Sequence, residues 1–346
     1  MKFISNQNFE KHMKPKVFVT NRMPESGIEV LRKECEVIYR EKDEPIPHEE
    51  FVRSVKDVHA IFCHLTARVD KEVIDAAPNL RVIGTMTAGV DHIDVEYATS
   101  KGIYVTNSPA ASEPVSEVAI GLMLAIARRI VEGDRYIREG KWKISWTPFM
   151  MLGTELKGKT LGIIGLGKIG YATAVRAKAF GMNLIYYDIV RNQKAEQELG
   201  IKFVSLEELL RTSDFISIHV FLSKDTYHLL NEERLRMMKK TAFLINTSRG
   251  PVVDEKALIK ALQEGWIAGA ALDVFEVEPL PMDSPLLKLP NVVLTPHIGN
   301  ATYEARYAMA ETGALNIVKV LKGEPPISLF NTDVMKIRPL DKVKVI

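Results

Sequence analysis

An arginine, a glutamate and a histidine each follow an apolar run that predicts a β-strand in the second half of the chain. They are Arg249, Glu278 and His297. If the glutamate hydrogen-bonds one ring nitrogen of the histidine, the imidazolium is stabilised and its pKa rises from about 6.5. Such a pair suits a general acid that protonates a ketone oxygen as hydride arrives at carbon. The planar fork of an arginine suits binding of a carboxylate or carbonyl group.

Each of these residues also has a structural interpretation, and taken singly that interpretation is the commoner one. Arg249 would cap loop carbonyls, Glu278 would be a solvated acid before Pro279, and His297 would be a loop histidine with satisfied hydrogen bonds. Open α/β sheets, however, bind ligands at the carboxyl ends of their strands. The joint placement of all three at strand ends therefore favours the catalytic interpretation.

A glycine-rich turn precedes these residues and predicts a dinucleotide site. It lies between an apolar strand and a stretch with helical spacing. Gly165 permits a tight turn, Gly167 leaves room for a pyrophosphate, and Gly170 lets helix and strand pack closely. The helix N-terminus adds unpaired N–H groups and a partial positive charge. The cofactor-binding residues predicted from this turn are Gly165, Leu166, Gly167, Lys168, Ile169 and Gly170.

Asp188 bears on the choice of cofactor because it ends the next apolar stretch, 18 positions after Gly170. A carboxylate there accepts hydrogen bonds from the ribose hydroxyls and repels a 2′-phosphate, which favours NAD over NADP. Arg191 is the opposing hint, since it is close enough in sequence to reach a phosphate, although a solvated arginine is the commoner explanation. We expect NADH to be preferred, with NADP as the alternative.

The elements that must position these residues alternate between strand and helix, which is typical of a parallel sheet. The glycine-rich turn at 165–170 is the dinucleotide-binding fingerprint. This fingerprint normally opens its domain, yet here it begins near residue 165. We therefore predict an α/β protein with two Rossmann-like doubly wound parallel-sheet domains and a cleft between them. An NAD-binding domain of residues 113–301 is inserted into a substrate domain of 13–112 plus 302–346, and 1–12 form a disordered extension. The first five predicted strands are 16–20, 35–40, 59–63, 81–85 and 103–107.

One long helix is predicted from Ser112 to about Gly140. Its centre, 118–125, is apolar almost without interruption. A helix of this kind must be covered on most sides. We expect a neighbouring domain or a second subunit to cover it.

Bulk composition excludes several classes of protein. The 346 residues include 46 basic and 44 acidic side chains, a formal net charge of +2, so no basic stripe for nucleic acid is present. Cys35 and Cys63 have no metal-ligand spacing and are expected to be buried free thiols. No apolar run is long enough to span a membrane, and no secretory leader is evident. We expect a cytoplasmic protein with no metal, nucleic-acid or membrane partner.

Several long motifs in one order give the chain a specific resemblance. They are the stretch 88–94, the fingerprint, 246–254, 271–279 and 295–302. From Lys14 onward the chain resembles the D-isomer-specific 2-hydroxyacid dehydrogenases, and most of all the archaeal glyoxylate/hydroxypyruvate reductases.

The resemblance implies roles for particular residues. Arg249 binds substrate, His297 is the acid/base, and Glu278 orients and tunes the imidazole. Backbone N–H groups of Ala88 and Gly89 receive the substrate carboxylate. Asp273 contacts the nicotinamide end of the cofactor, and the predicted cofactor-binding residues outside the fingerprint are Asp188, Thr247, Ser248, Asp273 and Gly299.

The resemblance also implies a homodimer formed largely by the NAD-binding domains. Trp146 is similar to a tryptophan that reaches the partner's substrate pocket, with an ordinary interface tryptophan as the alternative. Leu65 matches an apolar pocket residue, with a core leucine as the alternative. Two residues depart from the family pattern: Phe221 replaces a usual proline and Asn300 a usual serine. Neither change removes a member of the triad of Arg249, Glu278 and His297. The resemblance therefore implies the reaction type but not which small substrate is preferred.

The implied activity is NADH-dependent reduction of a small 2-oxo acid, glyoxylate to glycolate or hydroxypyruvate to D-glycerate. D-3-Phosphoglycerate dehydrogenase is an alternative that ranks lower, because no added basic cluster demands a phosphorylated substrate. A non-catalytic NAD(H)-sensing scaffold, like corepressors of the same fold, is the alternative from another class. Formate dehydrogenases of the same fold carry Gln where this chain has Glu278, which argues against that activity.

Overall fold

The computed structural model describes residues 14–109 and 112–346. They form two compact units. The first unit joins the described part of 1–110 to 302–346, and the second is the described part of 111–301. The extension predicted at 1–12 lies outside the described residues.

The first unit begins with five strands that alternate with four helices. In chain order these are β1 (Lys16–Val19), α1 (Glu25–Glu34), β2 (Glu36–Tyr39), α2 (His48–Ser54), β3 (Ala60–Cys63), α3 (Lys71–Asp75), β4 (Val82–Thr85), α4 (Val95–Ser100) and β5 (Tyr104–Thr106). The strands form one parallel sheet in the order β2-β1-β3-β4-β5. Neighbouring residues of a strand point to opposite faces, so Val17 and Phe18 enter two different apolar clusters.

The second unit contains a seven-stranded parallel sheet. Its elements are α5 (Ser112–Ala127), α6 (Ile130–Arg138), β6 (Thr160–Ile164), α7 (Lys168–Ala179), β7 (Asn183–Tyr187), α8 (Gln193–Leu199), β8 (Lys202–Phe203), α9 (Leu206–Thr212), β9 (Phe215–Ile218), α10 (Glu232–Met237), β10 (Phe243–Asn246), α11 (Glu255–Gln263), β11 (Gly269–Leu272) and β12 (Val292–Leu294). The strand order is β12-β11-β10-β9-β6-β7-β8. The order reverses between β6 and β9, which is where doubly wound sheets bind dinucleotides.

The last three helices of the chain belong to the first unit. They are α12 (Tyr303–Leu321), α13 (Val334–Ile337) and α14 (Leu340–Val343). Thr302 caps α12 by accepting a hydrogen bond from the Ala305 N–H. A Cβ added at Gly27 of α1 would lie 2.7 Å from the Ala310 carbonyl oxygen, so α1 and α12 pack backbone to backbone. The predicted α/β class with two parallel sheets is confirmed.

The single helix predicted from Ser112 to about Gly140 is wrong. The chain forms α5 and α6, separated by Arg128 and Arg129. Arg129 has a φ of 53°, a left-handed conformation that cannot continue an α-helix. Its guanidinium pairs with Glu132 in the first turn of α6. Neither glycine nor proline marks this break, which is why the sequence did not reveal it.

Part of the cover for the apolar centre of that helix comes from its own unit. Ala119, Met123 and Ala127 of α5 are buried within the second unit itself. Their cover comes from α7 and the strands β10, β11 and β12. By contrast, α6 has no buried residue.

Two predictions from composition can be compared with the structure. Cys35 and Cys63 are free and buried, as expected. Burial raises the pKa of the Cys63 thiol to about 12, which keeps it protonated and unreactive. Within 14–109 and 112–346, none of the helices combines the length and apolar character that crossing a bilayer demands.

Candidate active site

His297 follows β12 in a loop whose backbone is held in an unfavourable conformation. Its φ of 54° lies in the left-handed region, which costs a non-glycine residue about 1–3 kcal/mol. The carboxylate of Asp273, after β11, accepts hydrogen bonds from the N–H groups of Ile298 and Gly299, both at 2.8 Å. It also accepts one from the Thr295 hydroxyl at 2.6 Å. Asp273 is only 1% exposed, so these bonds are shielded from water and hold the loop that presents His297.

Glu278 contacts His297 directly. Its Oε2 lies 2.7 Å from the imidazole Nδ1, and its Oε1 accepts a hydrogen bond from the Phe275 N–H at 3.0 Å. Burial acts to raise the pKa of Glu278. The hydrogen bond and positive charge of His297, the hydrogen bond from the Phe275 N–H and the charge of Arg249 outweigh it and lower that pKa. The carboxyl group is therefore ionised at neutral pH and faces one ring nitrogen. The other ring nitrogen, Nε2, lies outside this hydrogen bond.

Arg249 lies in a segment that packs against the Glu278 segment. Asn246, at the end of β10, donates from its side-chain amide to the Arg249 carbonyl at 3.0 Å. A Cβ added at Gly250 would lie 1.9 Å from the carbonyl atoms of Phe275, so only glycine permits this approach. The charge of Arg249 also contributes to the lowered pKa of Glu278. The structure thus brings the three triad residues into one neighbourhood of the second unit.

The glycines of the fingerprint occupy the positions that the sequence assigned to them. Gly165 has a φ of 93° between β6 and α7. A Cβ at Gly170 would lie 2.1 Å from the Gly165 carbonyl oxygen, so helix and turn are in backbone contact. A Cβ at Gly167 would meet no atom within 4 Å, which leaves open space at the N-terminus of α7. An anionic group can approach the backbone there.

The surroundings of that helix terminus fit a nucleotide. Asp188, after β7, accepts a hydrogen bond from the Leu166 N–H at 2.7 Å, which holds its carboxylate beside the turn. The residues present therefore suit a dinucleotide whose phosphates meet the helix terminus and whose ribose meets Asp188.

Arg191, the hint in favour of NADP, is already paired. Two of its guanidinium nitrogens donate to the two carboxylate oxygens of Glu196, each at 2.8 Å. Glu196 also accepts a hydrogen bond from the Tyr186 hydroxyl at 2.7 Å. These bonds lower the pKa of Glu196 to about 2. Arg191 is thus held by a neighbouring carboxylate.

The two other predicted cofactor residues next to Arg249 differ in their bonding. Ser248 donates from its N–H and its hydroxyl to the Asn246 side-chain oxygen, at 3.0 and 2.8 Å. Thr247 is 8% exposed, and its hydroxyl has no hydrogen-bond partner among the described residues. Thr247 is therefore the one with a hydroxyl available for a ligand.

Ala88 and Gly89 lie after β4 in the first unit, where three successive carbonyls accept hydrogen bonds. The Thr87 carbonyl accepts from the Ser108 N–H at 2.9 Å. The Ala88 carbonyl accepts from the Asn107 amide, and the Gly89 carbonyl from the Thr87 hydroxyl, both at 2.7 Å. Because C=O and N–H point in opposite directions across a trans peptide, the N–H groups of Ala88 and Gly89 face away. Nothing in the described chain accepts a hydrogen bond from either, and such paired donors suit an anion.

Leu65 lies in the loop after β3, beside the point where the order of the five-stranded sheet reverses. It is half-buried and belongs to none of the apolar clusters. It is therefore not a core leucine.

Three residues singled out in the sequence lie on or near the surface of the second unit. Trp146 is 72% exposed and is followed by Phe149, which is 83% exposed. Phe221, the departure from the usual proline, is 76% exposed after β9. Asn300 directly follows the Gly299 N–H that Asp273 holds.

One group of titratable residues escaped the sequence analysis. His228, Asp254 and Glu276 come together with polar side-chain atoms within 4.8 Å of one another. His228 and Glu276 are 48 positions apart, and their contact depends on the packing of separate loops. Only the tertiary structure reveals this cluster.

Known proteins resemble this chain over almost its whole length. Residues 120–299 match a family model described as D-isomer specific 2-hydroxyacid dehydrogenase, NAD binding domain. A glyoxylate reductase from Thermofilum pendens is 55% identical over 336 residues, covering 96% of this chain and 99% of that protein. One from Pyrococcus furiosus is 52% identical over 330 residues, with coverages of 94% and 98%.

A solved structure shares the architecture. It is an NADPH-dependent glyoxylate/hydroxypyruvate reductase from Sinorhizobium meliloti, crystallised with NADP and malonate. The TM-score is 0.82 at 30% identity, and the match covers 93% of this chain and 98% of that one.

Proposed function

Because the chain belongs to the D-isomer-specific 2-hydroxyacid dehydrogenase family and is an enzyme with that family's NAD-binding domain, we propose that it reduces glyoxylate or hydroxypyruvate with NADH. The observation that carries this proposal is the contact of 2.7 Å between Glu278 and His297, beside Arg249 and in the same unit as the fingerprint. The names of the similar proteins support the substrate class.

His297 is the proton donor in this mechanism. NADH, held by the fingerprint and Asp188, would supply hydride for the carbonyl carbon of the 2-oxo acid. As negative charge develops on the carbonyl oxygen, Nε2 of the protonated imidazole gives its proton to that oxygen. Glu278 holds Nδ1–H, which orients the ring and stabilises its charged form. The product is the 2-hydroxy acid.

The proposed substrate-binding residues are Arg249, Ala88, Gly89 and Leu65. The guanidinium of Arg249 binds the carbonyl or carboxylate oxygens through parallel N–H groups. The N–H groups of Ala88 and Gly89 bind the carboxylate, supported by the carbonyl bonds that orient them. Leu65 contributes an apolar contact, which suits a small substrate.

NADH is the preferred cofactor. Asp188 lies where a ribose would be bound, and its negative charge disfavours a 2′-phosphate. Arg191, which would have to bind that phosphate, is engaged by Glu196.

The decisive experiment is steady-state oxidation of NADH and NADPH with a panel of 2-oxo acids. We expect the highest kcat/KM with glyoxylate or hydroxypyruvate and a lower KM for NADH than for NADPH. Faster turnover of 3-phosphohydroxypyruvate would favour the phosphoglycerate dehydrogenase alternative. Binding of NADH without turnover of any substrate would favour the sensing scaffold, for which the similar enzymes give no support.

Glu278→Gln is expected to move the alkaline limb of the pH profile for reduction to lower pH. Reduction uses the protonated imidazole, so activity falls as pH rises. Without the neighbouring carboxylate that charged form is less stable, and the fall begins earlier. The measurement is kcat against pH, with the exposed Glu304→Gln as a control that retains the wild-type profile. An unmoved limb in Glu278→Gln would show that the pair does not control protonation.

The protein forms a homodimer through its NAD-binding domain in this proposal. Support comes from α6, which buries no residue in its own unit, and from the exposed apolar side chains of Trp146 and Phe149. Trp146 completes the partner's substrate pocket. Sedimentation should give twice the mass of one chain, and a monomer at assay concentration would refute the proposal.

Trp146→Ala is expected to raise KM for the 2-oxo acid while the dimer persists, because the side chain contacts substrate across the interface. Trp142→Ala is the matched control, since Trp142 lies in the same exposed segment and is 51% exposed. Equal effects of both substitutions on KM, or dissociation without a change in KM, would leave Trp146 as an ordinary interface residue.

A further inference from the structure

His228 lies between the two segments that carry Arg249 and Glu278. It precedes α10 and adopts a φ of 49°. Its ring stacks on Tyr227, with centroids 4.0 Å apart and planes at 15°. The side chain is 29% exposed and is held in one orientation.

His228 makes one hydrogen bond to each of these segments. Its backbone N–H donates to the Pro251 carbonyl at 2.8 Å, two positions after Arg249. Its ring Nε2 lies 2.7 Å from Oε1 of Glu276, two positions before Glu278. One residue thereby links the substrate-binding arginine to the carboxylate that contacts the imidazole.

Glu276 is anchored a second time by α11. Its Oε1 also accepts a hydrogen bond from the Glu255 N–H at 3.1 Å, and Oε2 of Glu255 accepts from the Glu276 N–H at 3.1 Å. These reciprocal bonds fix both the side chain and the backbone at position 276. The segment therefore has defined attachments on two sides, one through His228 and one through Glu255.

The position of Glu276 affects both Arg249 and Glu278, because their two segments are in tight backbone contact. Gly250 leaves no space for even a Cβ against Phe275. A displacement of the 275–278 segment must therefore move the Arg249 segment or open a gap between them. Glu278 holds His297 through one hydrogen bond of 2.7 Å, which a shift of about 1 Å would break.

We infer that His228 is a positioning residue: its hydrogen bond to Glu276 holds the Glu278 segment in register with both Arg249 and His297. The imidazole of His228 touches no reacting atom and acts through Glu276. This inference rests on the proposed roles of Arg249 and Glu278.

The test compares His228→Ala, His228→Gln, Glu276→Ala and the double variant His228→Ala/Glu276→Ala. We expect His228→Ala to lower kcat/KM by about 10–100-fold, with a lower kcat and a higher KM for the 2-oxo acid, because small misplacements have large catalytic effects. The affinity for NADH, measured by fluorescence titration, should stay at the wild-type value. His228→Gln retains an N–H donor for Glu276 and should restore most of the loss.

Because His228 acts through its bond to Glu276, the double variant should be no worse than Glu276→Ala alone. His59→Ala is the matched control, since the His59 ring also makes one hydrogen bond, accepted from the Lys16 N–H, but lies in the first unit. It should change thermal stability without changing KM.

A purely structural role predicts a different result. A smaller folded fraction would lower apparent kcat in proportion, leave KM unchanged and give no specific rescue by glutamine. That pattern, or additive effects in the double variant, would overturn the inference.

A crystal structure of His228→Ala tests the inference without turnover, and so separates its failure from failure of the proposed activity. We expect the distance between Glu278 Oε2 and His297 Nδ1 to exceed hydrogen-bond reach, about 3.2 Å. An unchanged contact would overturn the inference even if the wild-type enzyme reduces glyoxylate.

Discussion

His297→Ala is expected to lower kcat for reduction of the 2-oxo acid by about 10²–10⁴-fold, the usual contribution of a positioned general acid. The substitution removes the proposed proton donor to the carbonyl oxygen, so negative charge must develop there without neutralisation. NADH binding should be retained, because the fingerprint and Asp188 lie in other segments of the second unit.

The loop around position 297 should survive this substitution. Asp273 holds Thr295, Ile298 and Gly299 through bonds that do not involve the imidazole. The measurement is kcat with saturating NADH and oxo acid, together with NADH affinity by fluorescence. His59→Ala, a histidine substitution in the first unit, is the control. Turnover near the wild-type rate in His297→Ala would show that another group supplies the proton.

Arg249→Lys is expected to lower kcat/KM by about 10²–10³-fold, the usual cost of removing one preorganised donor to a developing oxyanion. Lysine keeps the positive charge but loses the planar fork, so a bidentate contact becomes a single contact. We expect the loss to appear in both KM and kcat, because orientation of the carbonyl group depends on the same contact.

The control for Arg249→Lys is another arginine-to-lysine substitution, at a surface position away from the triad. Arg236 pairs with Glu232 on the surface of α10 and lies over the Trp266 ring. Arg236→Lys should leave kcat/KM at the wild-type value. Equal kinetic parameters for Arg249→Lys and wild type would mean that charge alone is required at position 249 and that the fork makes no contact.

Local features of this protein were predictable from the sequence because their causes lie close together in the chain. The turn between β6 and α7 needs glycine at 165 and 170 for reasons within a few residues, a left-handed φ and a backbone contact. Asp188 follows one strand later and bonds to that same turn. The alternation of apolar runs and amphipathic stretches likewise indicated two parallel sheets.

Other features were not predictable because they depend on which distant segments meet. The break at Arg129 has no glycine or proline to mark it. Asp273 resembles one more acid at a strand end, yet it is almost fully buried and organises the loop of His297. The contact between His228 and Glu276 joins positions that no periodicity relates.

Propensity and residue spacing act over short distances, so the amino-acid sequence was enough to predict the residue types at the strand ends, the nucleotide turn and the doubly wound class. The hydrogen bond between Glu278 and His297, with Arg249 beside them, depends on tertiary packing. It requires β10, β11 and β12 to align in parallel so that their carboxyl ends share one edge. The close approach at Gly250 then joined the segments that leave this edge. The residue types thus supply the functional groups, and the packing of the sheet brings those groups into contact.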